Sequence, residues 1–84
     1  MMRKVVQDEL FESQLEDLEF HVPGVRSAVT GLALMLRTNP ELGMKLQEDP
    51  PLWFVPLPDL AERALGVTYI FNESRVLLLS IWIE

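Results

Sequence analysis

The sequence predicts an α+β domain: a short N-terminal strand, a helical hairpin and then a three-stranded antiparallel sheet. Three observations point to it. Apolar residues recur at helical spacing through the first half of the chain, the spacing turns to alternation after Asp49, and proline and glycine cluster where the pattern changes. At 84 residues the chain makes one domain, residues 1–84. A chain this short buries a modest share of its surface, so its core must be dense. Its hydrophobic content of 49% meets that need.

Residues 3–6 predict a short strand. Asp8 carries the side chain of a helix cap. Leu10, Phe11, Leu15 and Leu18 follow at helical spacing, with Glu9, Glu12, Glu16 and Glu19 on the other side. That pattern predicts an amphipathic helix over 8–19. Its acidic stripe reads first as a solvated face and second as a surface for a basic partner. His21-Val22-Pro23-Gly24 interrupts the pattern, and Pro23 suits a first helical turn. Val25, Ala28, Val29, Leu32, Met35 and Leu36 then predict a second helix, ended by Asn39-Pro40. Gly31 inside it costs about 1 kcal/mol relative to alanine, which a close helix crossing would explain. Residues 40–46 predict one further turn, with Gly43 as its exit.

In the second half, Pro50-Pro51 is a breaker. Residues 52–57 are rich in aromatic and β-branched side chains, but Pro56 confines that strand to an edge or to a strand end. Pro58-Asp59 turns the chain, and residues 59–64 predict a loop or a short helical turn. Leu65, Val67, Tyr69 and Phe71 share one face of a strand over 65–71. Asn72-Glu73-Ser74 predicts a hairpin turn, despite matching a glycosylation sequon. The last strand, over 75–83, is apolar on both sides: Leu77, Leu79, Ile81 and Ile83 line one, Val76, Leu78 and Trp82 the other. Two helices cover one face of a sheet. The second face needs a twin subunit or a partner peptide, or else the sheet is strongly curled around this strand.

A net charge of −6, with seven basic residues against thirteen acidic ones, disfavours a nucleic-acid partner. Arg3-Lys4 is a local basic pair that reads first as the start of a solvated strand. No apolar leader region and no membrane-length apolar run is present, so the expected location is the cytoplasm, without membrane contact. The chain has no cysteine and one histidine, His21, so neither a metal site nor a bound cofactor is expected. Ser13, Ser27, Ser74 and Ser80 lack a nucleophile motif, and the isolated glycines form no phosphate loop. Residue types therefore select no catalytic set. Trp53 and Trp82 read first as core and second as partner anchors.

Val25-Arg26-Ser27-Ala28-Val29, leading to Leu36-Arg37-Thr38-Asn39-Pro40-Glu41-Leu42-Gly43, resembles the second helix and Asn-Pro-x-x-Gly exit of the RelE/ParE superfamily of bacterial toxins. Leu65-Gly66-Val67-Thr68-Tyr69-Ile70-Phe71 resembles that family's penultimate strand, and residues 75–81 its last. The likeness covers nearly the whole chain, and the order and spacing of the motifs carry it. It implies a short strand, a helical hairpin and three antiparallel strands. It also implies a toxin–antitoxin or plasmid-stabilisation role, with either mRNA cleavage or inhibition by binding.

The departures fall on the family's RNA-cleaving positions. Gly66 stands where the penultimate-strand arginine is usual, Ile83-Glu84 where a basic pair is usual, and Phe54 and Pro56 near further basic positions. Cleavage of that kind needs cations for the developing charge and a proton-transfer group. The resemblance thus implies action by protein binding, with an antitoxin-like peptide or a homodimer over the apolar sheet face. Candidate binding residues are Arg63 and Arg75, the two basic residues of the sheet region, with Tyr69, Leu78 and Trp82. One alternative is a ribosome-dependent mRNA endoribonuclease using Arg37, Arg63 or Arg75. Another is a structural or regulatory interaction domain unrelated to toxins, since a fold does not determine a function.

Overall fold

The computed structural model describes residues 2–57 and 65–83; the expected turn at Pro58-Asp59 and the loop over 59–64 lie outside them. The elements run β1 (Lys4–Gln7), α1 (Glu9–Glu19), α2 (Val25–Thr38), a 3-10 turn (Pro40–Leu42), β2 (Met44–Glu48), β3 (Pro51–Pro56), β4 (Leu65–Phe71) and β5 (Arg75–Ile83). The architecture is α+β, with two helices on one side of a five-stranded mixed sheet of order β1-β5-β4-β3-β2.

Both helices begin and end close to where the chain signals it. Asp8 caps α1, its carboxylate accepting the Leu10 N–H at 3.3 Å. Phe11 and Leu15 are buried beneath α1 and Leu18 packs at the margin, whereas Leu10 stays exposed. Helix α2 starts at Val25, one residue after Gly24, so Pro23 precedes the helix and takes no part in its first turn. Val25, Val29, Leu32 and Leu36 form its buried stripe, while Met35 points out. A side chain at Gly31 would meet nothing within 4 Å, so no close helix crossing accounts for this glycine.

The sheet departs from the expected three antiparallel strands in two ways. The turn after α2 stops at Leu42, and Met44–Glu48 is an extra strand, antiparallel to β3, where a continued turn was expected. Every β2 side chain is exposed, so no apolar alternation marks the strand; pairing with the β3 backbone makes it one. In addition, β1 joins the sheet parallel to β5, pairing Val5 with Val76 and Val6 with Leu77. A four-residue strand carries no signal for its partner. Strand β3 is internal, and Pro56 is tolerated because it holds the last position, opposite Gly66.

The hairpin from β4 to β5 turns at Asn72, whose Oδ1 accepts the N–H groups of Ser74 and Arg75, both at 2.9 Å. Above it the two strands pair with one irregularity. Tyr69 faces Leu78 and Thr68 faces Ser80, leaving Leu79 unpaired as a β-bulge. The bulge corrects the expected division of β5. Alternation would place Val76 and Leu78 with Trp82. Instead Val76, Leu78 and Ile81 are buried together, while Leu77 and Ser80 are half-buried and Trp82 is exposed on the other side. One extra residue exchanges the two faces midway along the strand.

The core is a single cluster joining Phe11, Leu15, Val29 and Leu36 of the helices to Val67, Tyr69, Val76, Leu78 and Ile81 of the sheet. Among the described residues no buried side chain is charged. Leu78→Ala and Ile81→Ala are each expected to cost about 2–5 kcal/mol. Leu77→Ala, on the far side of the bulge, is expected to cost about 1 kcal/mol or less. Urea denaturation of the three variants reads this directly; equal losses would contradict the exchange of faces.

Candidate functional site: the outer face of the sheet

The face of the sheet turned away from the helices is apolar and carries no acidic side chain on β1, β3, β4 or β5. Strand β4 contributes Gly66, Thr68 and Ile70 to it, and β5 contributes Leu77, Ser80 and Trp82. Strand β3 adds Leu52 and Phe54, and β1 adds Val6 above Lys4. None of these belongs to the core cluster under the helices. In a chain with thirteen acids among 84 residues, a solvated face without one is unusual.

The face is also ordered by its own contacts. The Phe54 ring lies across Gly66, where any Cβ would collide with it, and packs against Trp82 with centroids 5.4 Å apart. Glycine at 66 is thus explained by ring packing on the outer face. Next to this pair the Thr68 and Ser80 hydroxyls hydrogen-bond to each other across the strands. Their polar groups satisfy one another and leave the surrounding surface apolar.

The opposite face, which packs against the helices, holds a different arrangement around Tyr69. Tyr69 is fully buried, donates its phenolic proton to the Pro40 carbonyl at 2.7 Å and accepts the Gly43 N–H at 3.1 Å. A Cβ at Gly43 would overlap the Phe54 carbonyl oxygen and crowd the Tyr69 hydroxyl, so only glycine lets the chain pass here. Burial raises the Tyr69 pKa above its ordinary value of 10.0; Glu41 adds to the rise and the Gly43 hydrogen bond opposes it. Beside Tyr69, Trp53 and Phe71 pack with centroids 5.3 Å apart. Arg3 lies over Phe71 at 5.7 Å and Lys45 over Trp53 at 5.5 Å.

Cations gather at this end of the molecule. The Arg3 N–H donates to the Arg37 carbonyl at 3.0 Å, and Lys4 pairs with Arg75 in the sheet. Arg26 lies elsewhere, ion-paired with Glu19 of the acidic helix α1. The fold therefore gathers these cations at one strand end apart from the acidic helix α1, with Glu73 of the β4–β5 turn two residues before Arg75.

The four candidate binding residues among the described residues do not form one site. Tyr69 and Leu78 are buried on the helix side, Trp82 is exposed on the outer face, and Arg75 is exposed at the lower end of β5. Arg63 lies outside the described residues. Val6, Leu52, Phe54, Ile70 and Leu77 belong to the outer face without having been singled out. The available signal is Ser80, the one polar residue in the last apolar run, facing Thr68. Among the described residues no three His, Cys, Asp or Glu side chains come together as metal ligands, and no helix is long and apolar enough to cross a membrane. An apolar groove between α2 and β3, lined by Gly31, Met35, Leu42 and Val55, is the other notable concavity.

Tyr69→Phe is expected to cost about 1–3 kcal/mol, because the Pro40 carbonyl and Gly43 N–H lose their partner in a buried setting. The pH dependence follows from the raised pKa. Above pH 10 the unfolded chain releases the tyrosine proton while the fold retains it, so this group's contribution is complete below pH 10 and declines as pH rises further. Thermal melts between pH 8 and 11, about these values, should show a steeper alkaline loss in the wild type than in Tyr69→Phe. No family model and no curated protein matches this chain.

Proposed function

We propose that this chain is a RelE/ParE-like toxin-fold protein of a toxin–antitoxin-type module that acts by binding protein and not by cleaving RNA. The acid-free apolar outer face of the sheet carries this reading. It is large, internally ordered and free of helix contacts, the properties of a protein-binding surface. The order of strand, two helices and antiparallel strands agrees in outline with the motifs that suggest the family, with β2 as an addition. Gly66, where the family's arginine is usual, lies under the Phe54 ring, which leaves no room there for a longer side chain.

A second reading, ribosome-dependent mRNA cleavage at an atypical site, draws on the basic end. Arg3, Lys4, Arg37 and Arg75 gather there beside Phe71 and Trp53, and cations with stacked aromatics suit RNA. One pair of assays separates the two. Under the binding reading, purified chain leaves mRNA intact on translating ribosomes. The product of an adjacent small reading frame co-purifies with it and is lost on Ile70→Asp or Trp82→Asp, with an unchanged circular dichroism spectrum. Cleavage that disappears in Arg37→Ala or Arg75→Ala, together with unaltered co-purification in the outer-face variants, would overturn it.

A further inference from the structure

We infer that the free edge of β1, with the stripe of α2 beside it, is a docking groove for an acidic peptide segment of another protein, which adds to the sheet there as a further strand. This edge lies apart from the outer face, and the inference does not depend on the binding reading of that face.

Strand β1 ends the sheet, with β5 on one side and no strand on the other. The N–H groups of Lys4 and Asp8 donate to the Ser74 and Leu78 carbonyls, both at 3.0 Å. Backbone groups alternate along a strand, so Val5 turns its N–H and C=O to the free edge. Arg3 turns its N–H the same way, onto the Arg37 carbonyl at 3.0 Å, and this contact sets the end of α2 against the start of the strand. Between the strand and the helix lies an open groove of about 450 Å³. Met2, Val5, Ala33 and Leu34 give it apolar walls, and Lys4 and Arg37 give it cations. Met2 is 64% exposed and Leu34 59%, so this apolar surface has no cover among the described residues. A strand edge with unpaired backbone groups is a template for another strand.

The charges name the occupant. No acidic side chain lines the groove, and among the described residues neither Lys4 nor Arg37 is ion-paired. Glu73 stands in the β4–β5 turn and is not among the lining residues. At the other end of β1 stand Asp8 and Glu9, where α1 begins. The edge therefore passes from cationic to acidic within a few residues. A nucleic acid laid along it would press phosphates onto those carboxylates, and the groove has no aromatic wall on which bases stack. A second copy of this chain supplies no match either: Glu48 is the one acid on its described strands, and it is ion-paired with Lys45.

An antiparallel segment satisfies both the backbone and the charges. Residues directly opposite each other share a face of the sheet. Val5 packs toward the core, so the residue opposite it lies against Ala33 and Leu34 and is apolar. The next residue, opposite Lys4, is acidic, and a second acid beyond it reaches Arg37. From N- to C-terminus the segment reads apolar, apolar, acid, acid.

Fluorescence anisotropy of the whole chain with a labelled Thr-Val-Leu-Glu-Glu peptide tests this. Saturable binding is expected, and lysine in place of both glutamates should abolish it. An N-methyl group on the peptide leucine, whose N–H meets the Val5 carbonyl, should weaken binding about tenfold. The same group on the peptide valine, whose N–H points away from β1, should leave binding unchanged. Lys4→Glu and Arg37→Glu should each weaken binding about tenfold with an unaltered circular dichroism spectrum. Lys45→Glu, on the opposite edge strand, makes the same change of charge and should have no effect. Absence of saturable binding, equal binding of the two N-methylated peptides, binding that survives Lys4→Glu and Arg37→Glu, or displacement of the peptide by a uridine-rich RNA overturns the inference. These assays contain no partner of the outer face, so their failure is distinguishable from a failure of the binding reading.

Discussion

Leu79 pairs with no residue of β4, and the division of the sheet into two unlike faces depends on that single unpaired position. Below it Val76 and Leu78 enter the core; above it Ile81 does, on the opposite parity of the sequence. A regular strand would have sent either Val76 and Leu78, or Ile81, to the outer surface, and keeping Leu78 in the core would have turned Trp82 toward the helices. The bulge lets a strand that is apolar on both sides supply a close-packed core to α1 and α2 while placing Leu77, Ser80 and Trp82 on the outer face. The helices, the hairpin and the outer surface all take their positions from this strand.

Tyr69 plays the corresponding part on the other side of β4. Its ring belongs to the core, while its hydroxyl holds both the Pro40 carbonyl and the Gly43 N–H. Those two contacts tie the exit of α2 to the sheet and set the course of the chain into β2. Gly43 and Gly66 serve the same economy of space. At each, a neighbouring group occupies the volume of a side chain: the Phe54 carbonyl and Tyr69 hydroxyl at Gly43, the Phe54 ring at Gly66. Phe54 thus joins the path of β2 to the aromatic pair on the outer face.

The distribution of charge gives the molecule three distinct surfaces. Helix α1 carries Glu9, Glu12, Glu16 and Glu19, the outer sheet face carries no acid on β1, β3, β4 or β5, and Arg3, Lys4, Arg37 and Arg75 meet at the lower end. Net charge alone describes only the sum. A binding surface without acids in an acidic chain is selective by what it excludes, because any acidic partner region placed on it would lose hydration without gaining a cation, except at the corner of Lys4 and Arg75.

The local code of the chain determined both helices, the cap at Asp8, the stop at Asn39-Pro40, the turn at Asn72 and the strands over 65–71 and 75–83, because caps, prolines and periodicity act over a few residues. It also marked the last strand as needing cover on two sides. Tertiary structure decided what no short-range pattern encodes. Strand β2 exists through pairing with β3, and its exposed side chains leave no alternation to read. The parallel seat of β1 depends on a partner some seventy residues away. The bulge at Leu79 is one residue in a uniformly apolar run, and its position follows from which of Leu78, Leu79 and Ile81 best fill the space beneath α1. For the same reason Leu78 and Trp82, which alternation puts on one face, ended on opposite sides of the sheet. The apolar face that the last strand demanded is present, and it is lined by Leu77, Ile70 and Phe54 because packing against the helices claimed the other set.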